Sequence, residues 1–321
     1  MDDRERGRLE LIDQLNSILV LAKEIFNRTN YRFNRGTYFG KTWYETMEVL
    51  QSDGQATQEL MKGLAKILVP LESMQNLRGI KEYFDRNNPK AWDEKVQNLI
   101  SAKNEEDYDS LCYEFYIGST LSQNKTIYFC NMDAKGVTQE SLCEYFVEPR
   151  LFIECKNLFG TTRTAVENNM RRANAQIRSS IEQIPTPDPA IGAAFIDLPE
   201  RINIESADEI RYKMTEVISR LRQCNYIHFL GVSFMNIIDN PNDAGIDVIS
   251  EMKLIVNPQF ADLIFDDSIV SLFVPTFRYV AIPHDGVFDV FDFIDKRTVN
   301  SLNFDEFFGV RDDIPSSQRN D

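Results

Sequence analysis

The stretch Cys143-Glu-Tyr-Phe-Val-Glu-Pro-Arg-Leu-Phe-Ile-Glu-Cys-Lys156 predicts a β-hairpin. Aromatic and β-branched residues dominate both halves, and the three residues 148–150 separate them. Glu154 and Lys156 are separated by one residue on the second predicted strand. Because side chains alternate along a strand, these two should emerge on the same face of the sheet.

A loop of three residues would fix the register of this hairpin. Val147 would then pair with Leu151, and Glu144 would lie directly opposite Glu154. Two carboxylates would meet across the hairpin, with the Lys156 ammonium beside them. Mg²⁺ and Mn²⁺ prefer oxygen ligands, and such an ion can activate water and stabilise the charge that develops on a phosphodiester. We therefore predict that Glu144 and Glu154 bind metal and that Lys156 orients the water or offsets charge.

The Asp/Glu-x-Lys pattern alone is not specific, because it starts at four positions: Asp93, Asp133, Glu154 and Glu251. Asp93 lies in a helical context, Asp133 lies in a Gly-containing turn, and no acid precedes Glu251 at hairpin distance. Only Glu154 lies inside an apolar strand, where a charged pair is costly unless it is paired or metal-bound. A surface salt bridge on an edge strand is the structural alternative.

The order of predicted elements around the hairpin indicates the fold class. Residues 110–240 alternate as helix, strand, strand, strand, helix, strand, helix, strand, which is typical of an α/β (α+β) protein with helices packed on a sheet. The predicted helices cover 111–121, 164–184 and 207–222. The predicted strands cover 126–130, 141–147, 151–158, 191–197 and 226–238, with one or two more in 269–283.

Composition divides the chain into three parts. Residues 1–105 have apolar residues at helical spacing and predict a helical N-terminal module, whose third helix should end at Pro70. Residues 106–284 form the predicted core, and residues 285–321 form an acidic and aromatic C-terminal extension. The module carries no motif, so a helical scaffold or a partner-docking unit is its simplest interpretation.

The run from Glu114 to Gln176 resembles the PD-(D/E)XK nuclease superfamily, which has the restriction-endonuclease-like fold. In that family an acid on a helix precedes a hairpin that bears an acid and then Asp/Glu-x-Lys, and a further helix follows. The resemblance places Glu154 and Lys156 at the Glu-x-Lys and Glu144 at the hairpin acid. It places Glu114 at the helical acid, with an assisting catalytic role. Gln176 takes the polar position of the following helix. It implies a mixed sheet flanked by helices and Mg²⁺- or Mn²⁺-dependent (endo)nuclease activity on DNA.

Families of this kind often occur in restriction, repair and phage-defence systems. The resemblance implies a role in one of these kinds of system and does not choose among them. Two positions depart from the usual motif: Glu144 stands where an Asp is usual, and Cys143 stands where a Pro precedes it. Glutamate reaches one methylene farther, so a metal can still be bound. The alternative function is a catalytically inactive nuclease-fold scaffold, or an interaction protein that docks a basic partner.

The helix that follows the hairpin carries a basic face. Its arginines are well placed for contacts with the phosphates of a nucleic acid, and the alternative is a solvated helix face. Together with Gln176, the predicted nucleic-acid-binding residues are Arg163, Arg171, Arg172 and Arg178.

The net charge of -15 bears on how DNA would be captured. Residues 1–100 hold 15 acids and 15 bases, whereas residues 251–321 hold 13 acids and 6 bases. The acid excess therefore lies mostly away from the arginine-bearing helix. A polyanion is bound through Lys and Arg, so we expect a protein partner or a homo-oligomer to supply positive charge.

Several classes of protein are disfavoured by composition. Two histidines are too few for most histidine-based metal sites, and five cysteines without a C-x-x-C pair favour thiols in a reducing compartment. The longest apolar stretch, 226–238, is shorter than a membrane span and contains polar residues. The N-terminus lacks a signal-peptide pattern. We therefore expect a cytoplasmic protein that does not insert into membranes.

Overall fold

The computed structural model describes residues 34–51, 66–77, 91–123, 125–130, 142–158, 163–198, 217–239, 246–273, 279–283 and 291–295, with isolated positions between residues 1 and 63. Most of the first predicted helix and most of the extension 285–321 lie outside these residues. Of the predicted helix 207–222, residues 217–222 are described, and 217–221 are helical.

The described residues form one mixed sheet whose eight strands lie in chain order. Strands β3–β4, β4–β5 and β6–β7 run parallel, and the other neighbouring pairs are antiparallel. The α/β class is therefore confirmed. The strands are β1 Ile127–Phe129, β2 Tyr145–Val147, β3 Leu151–Asn157, β4 Ile191–Leu198, β5 Phe229–Asp239, β6 Ile246–Val256, β7 Tyr279–Pro283 and β8 Phe291–Asp295.

Helices cover both faces of this sheet. Leu151, Ile153 and Cys155 of β3 belong to a core shared with the N-terminal helices, while Phe152 belongs to the core under the helix that follows the hairpin. Among the described residues, no helix is long and apolar enough to cross a membrane. The helices are α1 Tyr38–Gln51, α2 Ala91–Ser101, α3 Glu105–Ser122, α4 Arg163–Gln183 and α5 Asp267–Val270, with a helical stretch at 66–77 and a 3₁₀ helix at Pro258–Phe265.

The register of the hairpin is confirmed. Val147 pairs with Leu151 and Tyr145 pairs with Ile153 across the turn 148–150. The first strand is shorter than predicted, because regular pairing with β3 ends at Tyr145. Glu144 lies one step beyond that pair, and its carbonyl accepts a hydrogen bond from the Cys130 amide at 3.1 Å. The predicted pairing of Glu144 opposite Glu154 therefore lies beyond the observed ladder, although the two side chains are close enough to interact electrostatically.

Helix α3 begins earlier than predicted. The predicted start is residue 111, whereas the acidic run 105–109 forms the first turns of the helix. Asn104 caps the helix, since its side chain accepts a hydrogen bond from the Asp107 amide at 2.8 Å. Glu105, Glu106 and Asp107 lie at the positive end of the helix dipole, where carboxylates are stabilised.

The prediction that a helix ends at Pro70 is wrong. Residues 66–77 are continuously helical and Pro70 is buried within them. Ile67, Leu71 and Met74 recur on one face and are almost completely buried. This burial offsets the hydrogen bond that proline removes from a helix.

Strand β6 was not predicted. It pairs with β5 along eleven residues of each strand, from Phe229 opposite Val256 to Asp239 opposite Ile246. In the described part of the predicted strand region 269–283, Tyr279–Pro283 form β7 and residues 269–270 end a short helix. Strand β8 lies inside the acidic and aromatic extension and pairs with β7.

Candidate functional site

The carboxyl end of β3 positions the predicted Glu-x-Lys pair. Lys156 donates a hydrogen bond to Oε1 of Glu154, and the Glu154 side chain has no exposed surface. The second oxygen of Glu154, Oε2, is buried and has no hydrogen-bond partner among the described residues. A buried carboxylate oxygen is costly in this state, so it marks a place where a ligand would be stabilised.

Glu114 and Glu144 lie beside this pair and share a second lysine. The Lys95 ammonium lies 2.5 Å from Oε2 of Glu114 and also contacts Oε2 of Glu144. Lys95 comes from α2, Glu114 from α3, and Glu144 from the segment that leads into β2. The structure thus brings all four predicted catalytic residues together with a lysine that was not predicted.

Aromatic side chains form the wall around Lys95. Its ammonium lies 5.6 Å from the centroid of the Phe129 ring and 6.0 Å from that of Tyr145. The Tyr145 hydroxyl donates to the backbone carbonyl of Glu114 at 2.9 Å. The ring approaches α3 closely, since a Cβ at Gly118 would lie 2.7 Å from Cζ and Oη of Tyr145. Glycine at this position therefore lets Tyr145 fix the Glu114 segment against β2.

Burial shapes the charge states of the cluster. Burial and the nearby Glu144 raise the pKa of Glu114 to about 7, although Lys95 opposes the shift. Burial raises the pKa of Glu154 to about 8, with Lys156 opposing the shift and Glu144 adding to it. Burial would lower the pKa of Lys95, but Glu114 and Glu144 together raise it well above its ordinary value. Carboxyl groups perturbed in this way are common at functional sites.

Helix α4 anchors the segment that carries Glu144. The Cys143 amide donates to the Ser180 hydroxyl at 2.9 Å, and the Gln176 side chain donates to the Leu142 carbonyl at 3.2 Å. A proline at position 143 has no N–H and could not make the first of these bonds. The cysteine that departs from the family motif is therefore part of the support for Glu144.

The residues predicted to bind nucleic acid divide into two groups. Gln176 is turned towards the Glu144 segment, and its Oε1 is buried without a hydrogen-bond partner in the described part of the chain. The arginines of α4 are exposed: Arg163, Arg171, Arg172 and Arg178. Arg171 donates to Asn168 at 3.3 Å, and Arg178 pairs with Glu182 at 2.8 Å and lies over the Tyr226 ring.

The donor set suits a hard cation. Mg²⁺ usually retains several waters and binds one or two protein carboxylates, and Glu154 offers a buried, unpaired oxygen. Glu144 is a second carboxylate near enough to Glu154 to affect it electrostatically. Among the described residues, no group of three or more His, Cys, Asp or Glu side chains is arranged to hold a metal ion. The most that these residues could offer a cation is two carboxylates, with the remaining positions filled by water or substrate oxygens.

The sequence does not single out Lys95, because the Asp93-x-Lys95 pattern lies in a predicted helix, and α2 is a helix. Trp92, Val96 and Leu99 mark its buried face, and at 100° per residue Lys95 falls on the edge of that face. A lysine beside a buried stripe was the signal that could have identified it, since such a lysine needs a partner.

The cluster joins three carboxylates and two ammonium groups at one end of the sheet. Such a set can bind a hard cation, or hold a proton on a carboxyl group near neutral pH. Comparison of the chain with models of protein families, with curated proteins and with solved structures finds no match.

Proposed function

We propose that this chain is a metal-dependent nuclease of the PD-(D/E)XK type that hydrolyses DNA phosphodiester bonds. One observation carries the proposal: Glu114, Glu144, Glu154 and Lys156 converge at the carboxyl end of β3, with a buried Glu154 oxygen that lacks a partner among the described residues. The mixed sheet with helices on both faces agrees with the restriction-endonuclease-like arrangement. A role in restriction or phage defence is the biological setting that this proposal favours.

Each residue would have a distinct role in the reaction. Glu154 and Glu144 would hold Mg²⁺ or Mn²⁺, which when bound lowers the pKa of water and neutralises charge on the phosphodiester. The Lys156 ammonium is held beside Glu154 and would orient the attacking water or offset the developing negative charge. Glu114 would assist by keeping Lys95 and Glu144 in place.

Capture of DNA would depend on positive charge from outside this chain. The net charge is -15, and of the exposed arginines of α4, Arg171 and Arg178 fall close together whereas Arg172 lies about 100° from Arg171 around the helix. We therefore propose that a basic protein partner or a homo-oligomer contributes to substrate binding. Nanomolar DNA binding by the isolated monomer at physiological salt, measured by fluorescence anisotropy, would contradict this part of the proposal.

Cleavage of plasmid and oligonucleotide DNA with Mg²⁺ or Mn²⁺ tests the activity. We expect cleavage by wild type and a loss of about a hundredfold or more in Lys156→Ala and Glu154→Ala, because charge stabilisation of this kind contributes at least that factor. Lys66→Ala is the matched control, since the Lys66 side chain is similarly buried, 12% exposed against 16% for Lys156, but lies in another ion-pair cluster. It should cleave at the wild-type rate.

The proposal fails if wild type, alone and with its native partners, shows no metal-dependent cleavage. It also fails if Lys156→Ala and Lys66→Ala reduce cleavage equally, because the loss would then reflect stability. A parallel assay on single-stranded RNA would show whether DNA is the preferred substrate.

A second candidate function is a nuclease-fold scaffold without catalysis. The specific observation in its favour is Lys95, whose ammonium already compensates two of the three carboxylates. If calorimetry detects no Mg²⁺ or Mn²⁺ binding to wild type, this candidate replaces the nuclease. The acidic chain would then be expected to dock a basic protein partner.

A further inference from the structure

The charge cluster at the end of β3 contains its own cation. Lys95 lies between Glu114 and Glu144, whose carboxylates would otherwise repel each other. It reaches them from a helix outside the hairpin, and its side chain is 12% exposed. An ammonium in this position does what a bound metal ion would do for the same two carboxylates.

The third carboxylate is arranged differently. Glu154 receives a hydrogen bond from Lys156 through Oε1, while its buried Oε2 has no partner among the described residues. The cluster therefore has one carboxylate with an unpaired oxygen and two carboxylates joined by a lysine. A cation would therefore bind more readily at the unpaired oxygen of Glu154 than between Glu114 and Glu144, where Lys95 already lies.

We infer that Lys95 is a positioning residue that limits this site to one divalent cation. Its ammonium holds Glu114 and Glu144 together and occupies the place between them, so that the cation is taken up at Glu154 with help from Glu144. A neutral side chain at position 95 opens a second place, because two adjacent carboxylates and water suit Mn²⁺. The inference rests on the proposed function only in requiring that the site binds a divalent cation.

Calorimetric titration of the full chain with Mn²⁺ tests this inference. We expect one Mn²⁺ per chain in wild type and two in Lys95→Gln, which keeps hydrogen-bonding groups but removes the charge. Lys95→Arg retains the charge and should again bind one. Lys66→Gln, which removes a lysine from the other cluster, should also bind one.

Thermal unfolding provides a readout that does not depend on catalysis. Without divalent cations, Lys95→Gln leaves Glu114 and Glu144 uncompensated, so Mn²⁺ should raise its Tm by more than it raises that of wild type. Equal Mn²⁺ stoichiometry and equal Tm shifts in Lys95→Gln and wild type would overturn the inference. So would the absence of Mn²⁺ binding from every variant.

A double variant covers the case in which Lys95→Gln does not fold. Lys95→Gln/Glu114→Gln removes one charge of each sign and frees Glu144 from its lysine, so it should bind one Mn²⁺ about tenfold more tightly than wild type. Affinity equal to or weaker than wild type would overturn the inference.

If wild type binds one Mn²⁺ and the variants respond as expected but DNA is not cut, the nuclease proposal fails and this inference stands. If DNA is cut and the variants behave as wild type, only this inference fails.

Discussion

Two lysines tie the N-terminal helical segments to α3, and they differ in how far their carboxylate partners are from water. Lys66 contacts Glu105 and Asp109 near the start of α3, whereas Lys95 contacts Glu114 in the middle of α3 and Glu144 before β2. Both lysine side chains are 12% exposed, but Glu105 is 53% exposed and Glu114 only 14%.

The comparison shows that the same ion-pair arrangement serves two purposes. Around Lys66, water screens the carboxylates, and the pairs hold the helical stretch 66–77 against α3. Around Lys95, the carboxyl groups are buried and a third one, Glu154, lies nearby. The pKa of each carboxyl group therefore depends on the charges of its neighbours. Position within the fold, and not the residue types, therefore separates a structural ion pair from a candidate active site.

The largest expected effect comes from removing each lysine charge in turn. Lys95→Gln should lower the free energy of unfolding by about 3 kcal/mol, because loss of one partner leaves buried charges uncompensated. Lys66→Gln should cost about 1 kcal/mol, since Glu105 and Asp109 can return to water. Urea unfolding at pH 8 with a chelator present measures both. Equal losses would show that the two clusters do not differ electrostatically.

The next effect concerns pH and Glu114. Its folded pKa of about 7 lies above the ordinary value of 4.5, so the folded state retains a proton that the unfolded state releases. The stability contributed by that proton is fully present below about pH 4.5 and is lost as the pH rises through about 7. Glu114→Gln should therefore be more stable than wild type at pH 8 by roughly 1–2 kcal/mol, and this gain should vanish near pH 4.5.

Glu105→Gln is the matched control for this pH dependence. Glu105 occupies the corresponding position in the Lys66 cluster, but solvent screens its carboxylate. Its stability profile between pH 4.5 and 8, from urea unfolding without divalent cations, should run parallel to that of wild type. If Glu114→Gln also runs parallel to wild type, burial does not perturb the Glu114 carboxyl group.

The same contrast explains what the sequence could predict. The hairpin register and the Glu154-x-Lys156 pair were predictable because loop length and strand alternation act over a few residues. Lys95 is 19 residues from Glu114 and 49 from Glu144, so only the packing of α2 on the core brings them together. Strand β6 could not be predicted for a related reason. It is stabilised by pairing with β5, and that pairing is not visible in the local sequence of β6.

The support of Glu144 illustrates the same limit. Cys143 stands where the nuclease superfamily that the sequence resembles usually has a proline. In the structure its amide donates to Ser180, which lies on α4, 37 residues away. A local motif therefore predicts the candidate catalytic residues better than it predicts the residues that support them through hydrogen bonds.

The smallest expected effect isolates hydrogen bonds from charge. Each cluster contains a fully buried tyrosine that donates to a backbone carbonyl: Tyr108 to Lys66 at 2.5 Å and Tyr145 to Glu114 at 2.9 Å. Tyr145→Phe should cost about 1 kcal/mol, because one neutral hydrogen bond is lost while the ring still packs, and Tyr108→Phe should cost about the same or slightly more, because its hydroxyl also hydrogen-bonds Cys112. Urea unfolding measures both losses. If Tyr145→Phe costs clearly more than Tyr108→Phe, the two regions differ in packing as well as in charge, and the purely electrostatic contrast between them is wrong.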